Sequence, residues 1–124
     1  NIKKDFVFDV IAIYKRSANI LNSESKSKLE IVGSADPGLF KNDYEKNLYK
    51  KIHAIRKYFS SIGRDEDYDE SLKTLSSAKI EVNEFFDNVI VNDQEELIKK
   101  NRLELLKMLC KSFDNYFNFS KIEA

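Results

Sequence analysis

Apolar side chains recur at three- and four-residue steps along the last third of the chain. Leu103, Leu106, Cys110, Phe113 and Phe117 form one line, and Ile98, Leu105 and Leu109 widen it. That spacing is the period of an α-helix with one face to cover. Such a helix is marginal in isolation, so the stripe commits the chain to a fold in which other helices pack against it. Asp93-Gln94-Glu95-Glu96 has capping-box spacing, with Asp93 as the cap and Glu96 three residues on. The helix is expected to run from there to about Phe117.

The rest of the chain supplies partners of the same kind. Residues 5–22 carry Phe6, Val7, Val10, Ile11, Ile13, Tyr14, Ala18 and Leu21 on a broad apolar stripe. Ser23 to Ser27 reads as a polar linker, and Asp36-Pro37-Gly38 as a turn or helix start. Asp43 is expected to cap a second helix reaching about Ile62, with Leu48, Ile52, Ile55 and Phe59 inward and Gly63 as its stop. Asp67 can cap a short third helix through Leu72 and Leu75, and Glu81 to Val89 is a short fourth element. Leu29, Ile31 and Val32 are too few for a strand. Three Gly and one Pro leave little turn chemistry for a sheet, while nine Phe and six Tyr supply a core. The expectation is an all-α fold, with residues 1–124 forming a single domain built as a bundle of about five helices.

Equal numbers of basic and acidic residues, 21 of each, hide an uneven distribution. Segments 1–28, 41–57 and 99–121 are each predominantly basic, whereas 64–96 holds three basic side chains against eleven acidic ones. This pattern fits either ordinary solvated helix faces or a polarised surface that meets charged partners. No apolar run approaches the roughly 20 residues of a membrane span, and no signal-peptide pattern opens the chain. The single cysteine forms no internal disulfide and fits a reducing compartment, so a cytoplasmic location is expected.

Groups for catalysis do not converge. His53 has no second His or Cys at ligand spacing, and Cys110 lies on the apolar stripe, where a small core residue is the expected role. There is no glycine-rich phosphate loop, and the acidic run at 65–70 lacks the glycine and terminal glutamate of a calcium loop. No catalytic residue, metal site or cofactor is therefore expected in this domain.

A ligand contact is easier to place. Lys15, Arg16 and Asn19 share a polar helix face, since residues three and four apart are neighbours. Lys and Arg neutralise phosphates, and Arg and Asn also bond base edges; the alternative is a solubilising face. Near the other end, Phe85-Phe86-Asp87-Asn88-Val89-Ile90-Val91 leads into Asn101-Arg102-Leu103. Phe85 and Phe86 read better as core than as stacking platforms. Arg102 is expected to pair with Asp87 or Glu84, tying this knot to the long helix; an RNA contact is its alternative role.

These stretches resemble the C-terminal region of the beta subunit of bacterial glycyl-tRNA synthetases. Phe85-Phe86-Asp87-x-Val89-x-Val91 followed by Asn101-Arg102-Leu103 is one match. Lys15-Arg16-x-x-Asn19-Ile20-Leu21, Asp36-Pro37-Gly38-Leu39-Phe40 and Tyr68-Asp69 to Leu75 are three more, in the family's order along nearly the whole chain. The family usually has Pro ahead of the Phe-Phe-Asp knot, where this sequence reads Ile80-Glu81-Val82-Asn83-Glu84, so the start of the fourth element is expected to differ. The start at Asn1-Ile2-Lys3 inside the family-like region is expected to belong to a fragment of a longer beta subunit.

The resemblance implies an all-helical anticodon-binding domain that grips the anticodon arm of glycine tRNA. It implies a separate alpha subunit, joined with beta in a heterotetramer, that uses ATP and glycine to charge the tRNA. Glycine codons begin with two guanines, so the anticodon presents two cytosines that a loop can splay out for reading. Under this reading Arg16 and Asn19 read a base or its sugar and Lys15 meets phosphate. Lys50, Lys51, Lys57, Lys99 and Lys100 add attraction along the backbone. A reading from a different class is a helical interaction module whose acidic segment docks the alpha subunit or other beta domains without touching RNA.

Overall fold

The computed structural model describes residues 2–24, 30–61 and 68–114. Among these residues five helices follow one another: α1 (Ile2–Glu24), α2 (Asp43–Ser61), α3 (Tyr68–Ser76), α4 (Lys79–Asn88) and α5 (Glu96–Asp114), with a 3-10 turn at Pro37–Leu39 between α1 and α2. No strand occurs among the described residues. The all-α bundle expected from the apolar periodicity is therefore the observed architecture.

Local chemistry sets the helix limits. Asn42, rather than Asp43, caps α2: its Oδ1 accepts from the Glu45 amide at 3.0 Å. Glu45 reaches back to accept from the Lys41 amide at 2.5 Å, so two orphan donors are satisfied reciprocally. At the 3-10 turn, Asp36 Oδ1 accepts from the Gly38 amide at 2.9 Å and Pro37 occupies the first position, where no donor is needed. α1 runs through Ser23 to Glu24, past the expected linker start. α5 begins at Glu96 and not at Asp93, because Asp93 Oδ1 accepts from the Glu95 amide at 2.9 Å in a turn of its own. α4 begins at Lys79, before Glu81, because the Ala78 carbonyl already accepts from the Val82 amide at 2.9 Å. Gly63, Asp67 and Phe117 lie outside the described residues.

α5 is the axis of the molecule. α1 packs along it on one flank and α2 on another; α3 covers α1 and α4 covers α2. Val10 and Ile13 of α1, Leu48, Ile52, Ile55 and Phe59 of α2, Leu72 and Leu75 of α3, and Val82 and Phe85 of α4 enclose Leu105, Leu106, Leu109 and Phe113. The sequence reads α5 as striped, but Asn101, Arg102, Glu104 and Ser112 are buried as well.

The reason for that burial is the extended segment after α1, which lies on the polar side of α5. Glu104 Oε1 accepts from the amides of Val32, Gly33 and Ser34 at 3.0, 2.5 and 3.0 Å. Asn101 Oδ1 accepts from the Asp36 amide at 2.6 Å, and its Nδ2 donates to the Asp36 carbonyl at 3.0 Å. Lys111 Nζ donates to the Val32 carbonyl at 2.7 Å. Three successive amides converging on one oxygen form an anion nest, and Gly33 supplies its positive φ of 93°. A Cβ at Gly33 would also sit 3.1 Å from Cδ of Lys111. These side chains satisfy backbone groups that a strand partner would otherwise have to meet.

Candidate nucleic-acid interface

Arg16 is on α1, exposed, and held from two directions by α4. Its Nη1 donates to Asn83 Oδ1 at 3.4 Å, and its guanidinium lies 4.3 Å from the centre of the Phe86 ring. A guanidinium stacked on an aromatic face gains from the ring quadrupole and loses rotational freedom. The result is a flat donor plate fixed at the surface. Asn19 is exposed and Lys15 half-buried on the same helix, but neither contacts this plate. Sequence reasoning joined Arg16 to Asn19; the fold joins it to Asn83 and Phe86.

Phe85 and Phe86 part company accordingly. Phe85 is fully buried, whereas Phe86 is half-buried, edge-on to Phe85 at 5.6 Å, with Arg16 over its face. A legible signal existed for this. Adjacent residues on a helix point about 100° apart, so both rings cannot face one core. Asn83, which sequence reasoning missed, sits one turn before them.

The seam between α1 and α4 opens beside Arg16 into a cleft of about 130 Å³ lined by Asp9, Ala12, Ile13, Lys79, Val82 and Asn83 as well as Arg16. Lys79 Nζ and Asp9 Oδ1, 3.2 Å apart, cross it at one end. Arg16 and Asn83 cross it at the other.

The lysines proposed for backbone attraction do not gather in one place. Lys50 and Lys57 are exposed on α2. Lys51 faces Glu81 of α4 at 3.9 Å, and Lys99 pairs with Glu24 of α1 at 2.9 Å, so both already meet carboxylates of this chain. Lys100 lies at a second cleft, of about 160 Å³, with Ser34, Asp36, Leu39 and Leu97. The polar groups at its base, Asn101 and Glu104, already hold the extended segment, which makes that cleft architectural.

Arg102 is likewise architectural, though not with the expected partners. Its Nε donates to Glu45 Oε1, and its Nη1 donates to the Ile90 carbonyl at 2.7 Å and to Asp93 Oδ2 at 3.3 Å. Glu84 and Asp87 are on the solvent side of α4, opposite the buried Phe85, and make none of these bonds. Arg102 instead ties α5 to the first turn of α2 and to the connection leaving α4. The signal for Glu45 was its place on the α2 stripe, three residues before Leu48 and seven before Ile52.

The remaining reactive groups are quiet. Burial, reinforced by the Asp114 carboxylate, pushes the Cys110 thiol up to about 12. Burial and the hydrogen bond from its hydroxyl to Asp114 at 3.0 Å likewise raise Tyr14 above the ordinary phenol range. His53 is exposed on α2, edge-on to Tyr49 at 4.4 Å. Among the described residues no three His, Cys, Asp or Glu side chains converge, and no helix is long and apolar enough to cross a membrane.

Residues 10–124 match the family model of the DALR anticodon binding domain. The chain is 38% identical over 109 residues, 88% of its length, to the glycine–tRNA ligase beta subunit of Rickettsia typhi (strain ATCC VR-144 / Wilmington). It is 34% identical over 121 residues, 98% of its length, to that of Rickettsia bellii (strain OSU 85-389). The chain spans 16% and 17% of the length of these two relatives.

Proposed function

Because the chain belongs to the DALR anticodon binding domain family, we propose that it recognises the anticodon arm of glycine tRNA within a glycine–tRNA ligase. The observation that carries this reading is the family match over residues 10–124, supported by relatives named as glycine–tRNA ligase beta subunits. The domain supplies recognition only. Activation of glycine by ATP and transfer to tRNA belong to other parts of the assembly, including an alpha subunit, in a heterotetramer acting in the cytoplasm.

The surroundings of Arg16 support a part for α1 in this recognition. Arg16, fixed on Phe86 and Asn83, presents directed donors without first having to order a flexible side chain. Lys15 adds charge for a phosphate one residue away. Exposed Lys50 and Lys57 extend the attraction along α2. Each phosphate neutralised adds about 0.7 to the slope of log affinity against log salt for single-stranded RNA.

Binding of glycine tRNA to the full-length protein, measured across salt concentrations, tests the reading. Arg16→Ala is expected to weaken binding by roughly tenfold or more, the worth of one or two charge-assisted hydrogen bonds. Lys15→Ala is expected to lower the salt slope by about 0.7. A protein that binds glycine tRNA no better than tRNAs with altered anticodons would overturn it.

A further inference from the structure

The cleft between α1 and α4 has a shape and polarity that the anticodon-arm reading alone does not require. Its floor is apolar, from Ile13 and Val82, and each end carries a polar cross-link between the two helices. Asp9 with Lys79 closes one end, and Arg16 with Asn83 closes the other. Asp9 and Arg16 are seven residues apart on one helix, which places them on the same face about 10 Å apart along it. A group that bridges the two cross-links is therefore a small one, on the order of a single ring. The volume agrees: about 130 Å³ compares with the ~150 Å³ cavity that takes up one benzene ring in another protein.

The two ends differ in what they accept. Lys79 Nζ is committed to Asp9 Oδ1, and the second carboxylate oxygen remains an acceptor. At the far end Asn83 Oδ1 is occupied by Arg16, so the Asn83 amide and the guanidinium turn only donors toward the cleft. An acceptor at one end and donors at the other complement a ring with an amino group on one side and acceptors on the other. Cytosine is such a ring. Uracil would turn a carbonyl toward Asp9, and a purine carries a second ring for which there is no room.

Resting on the anticodon-arm reading, we propose that this cleft is the slot for one unstacked cytosine. Asp9 accepts from its exocyclic amino group, and Asn83 and Arg16 donate to its ring nitrogen and carbonyl. Asn83 and Asp9 are then specificity-determining residues, and Phe86 acts through Arg16 by fixing its plane.

The test compares the full-length protein with its Ala12→Leu and Asn83→Ala variants. Ala12 is exposed at the cleft, so leucine there fills the slot without removing a charge or a core contact. Each protein is titrated with a glycine tRNA anticodon stem-loop and with loops carrying uracil in place of each anticodon cytosine. Wild type should prefer cytosine at one position by roughly ten- to a hundredfold. Both variants should lose that preference, and Ala12→Leu should keep the wild-type affinity for the uracil loop with an unchanged thermal midpoint. A preference retained in both variants overturns the slot and leaves the anticodon-arm reading standing. A wild type indifferent to every anticodon substitution overturns both.

Discussion

Truncating Glu45 would take from Arg102, only 7% exposed, the buried one of its two carboxylate partners. Removing one partner of a buried pair leaves an uncompensated charge, which typically costs about 3–5 kcal/mol. Glu45→Ala is therefore expected to lose that much in urea denaturation, tempered by the bonds Arg102 keeps to the Ile90 carbonyl and Asp93. The double variant Glu45→Leu/Arg102→Met should recover most of the loss, because two apolar groups of similar volume need no counter-charge. A double variant as unstable as the single one would show that the pair contributes through more than charge balance. At the same scale, sequence reasoning found Arg102 structural and chose the wrong carboxylates. Its partners stand 57 and nine residues away along the chain. Nothing in the local pattern around Asn101-Arg102-Leu103 points to Glu45, which reaches Arg102 only because α2 packs on α5.

Among elements, α5 departs most from its reading. Its apolar stripe was legible from Leu103, Leu106 and Phe113, and so were the inward faces of α2 through Leu48, Ile52, Ile55 and Phe59. The burial of Asn101 and Glu104 was not, because polar residues in a helix pattern normally mark its solvent side. They are buried only because residues 32–36 lie across them, and that stretch carries no periodicity to announce where it goes. Its placement is a matter of backbone hydrogen bonding, which leaves no trace in side-chain identity. The Arg16–Phe86 stack escaped for a related reason, since it depends on how α4 lies along α1. Glu104→Ala removes the acceptor shared by three amides and is expected to cost roughly 2–4 kcal/mol. The same variant should speed hydrogen exchange at Val32, Gly33 and Ser34 while leaving the amides of α2 and α4 slow at equal global stability. Uniform acceleration across all helices would instead mean that Glu104 acts on the whole fold.

Across the whole molecule, Tyr14 and Cys110 couple stability to alkaline pH from the α1–α5 contact. Both groups are held neutral by burial and by Asp114, so the folded state keeps protons that the unfolded chain releases earlier. Their contribution is complete below the ordinary thiol range of about 8.5. It is lost progressively as pH rises toward the Cys110 value of about 12. Thermal midpoints should accordingly be flat through neutrality and fall above pH 9, less steeply in Cys110→Ala after allowance for its lower starting stability. Native Cys110 should also resist aromatic disulfide reagents at pH 8 and react readily in urea. A thiol that reacts as fast in the native protein would contradict its burial. The hold of α5 on the segment at 32–36 has one more consequence, for how sequences of this kind can drift. Glu104, Asn101 and Lys111 grip main-chain atoms, so the side chains of exposed Val32 and Ser34 are free to vary, while Gly33, the buried Ala35 and the capping Asp36 are restricted. Main-chain spacing is not free: losing or gaining one residue there would shift every amide off its acceptor at once. Substitutions at positions 32 and 34 should be common among functional relatives, and single-residue insertions or deletions in the stretch scarce.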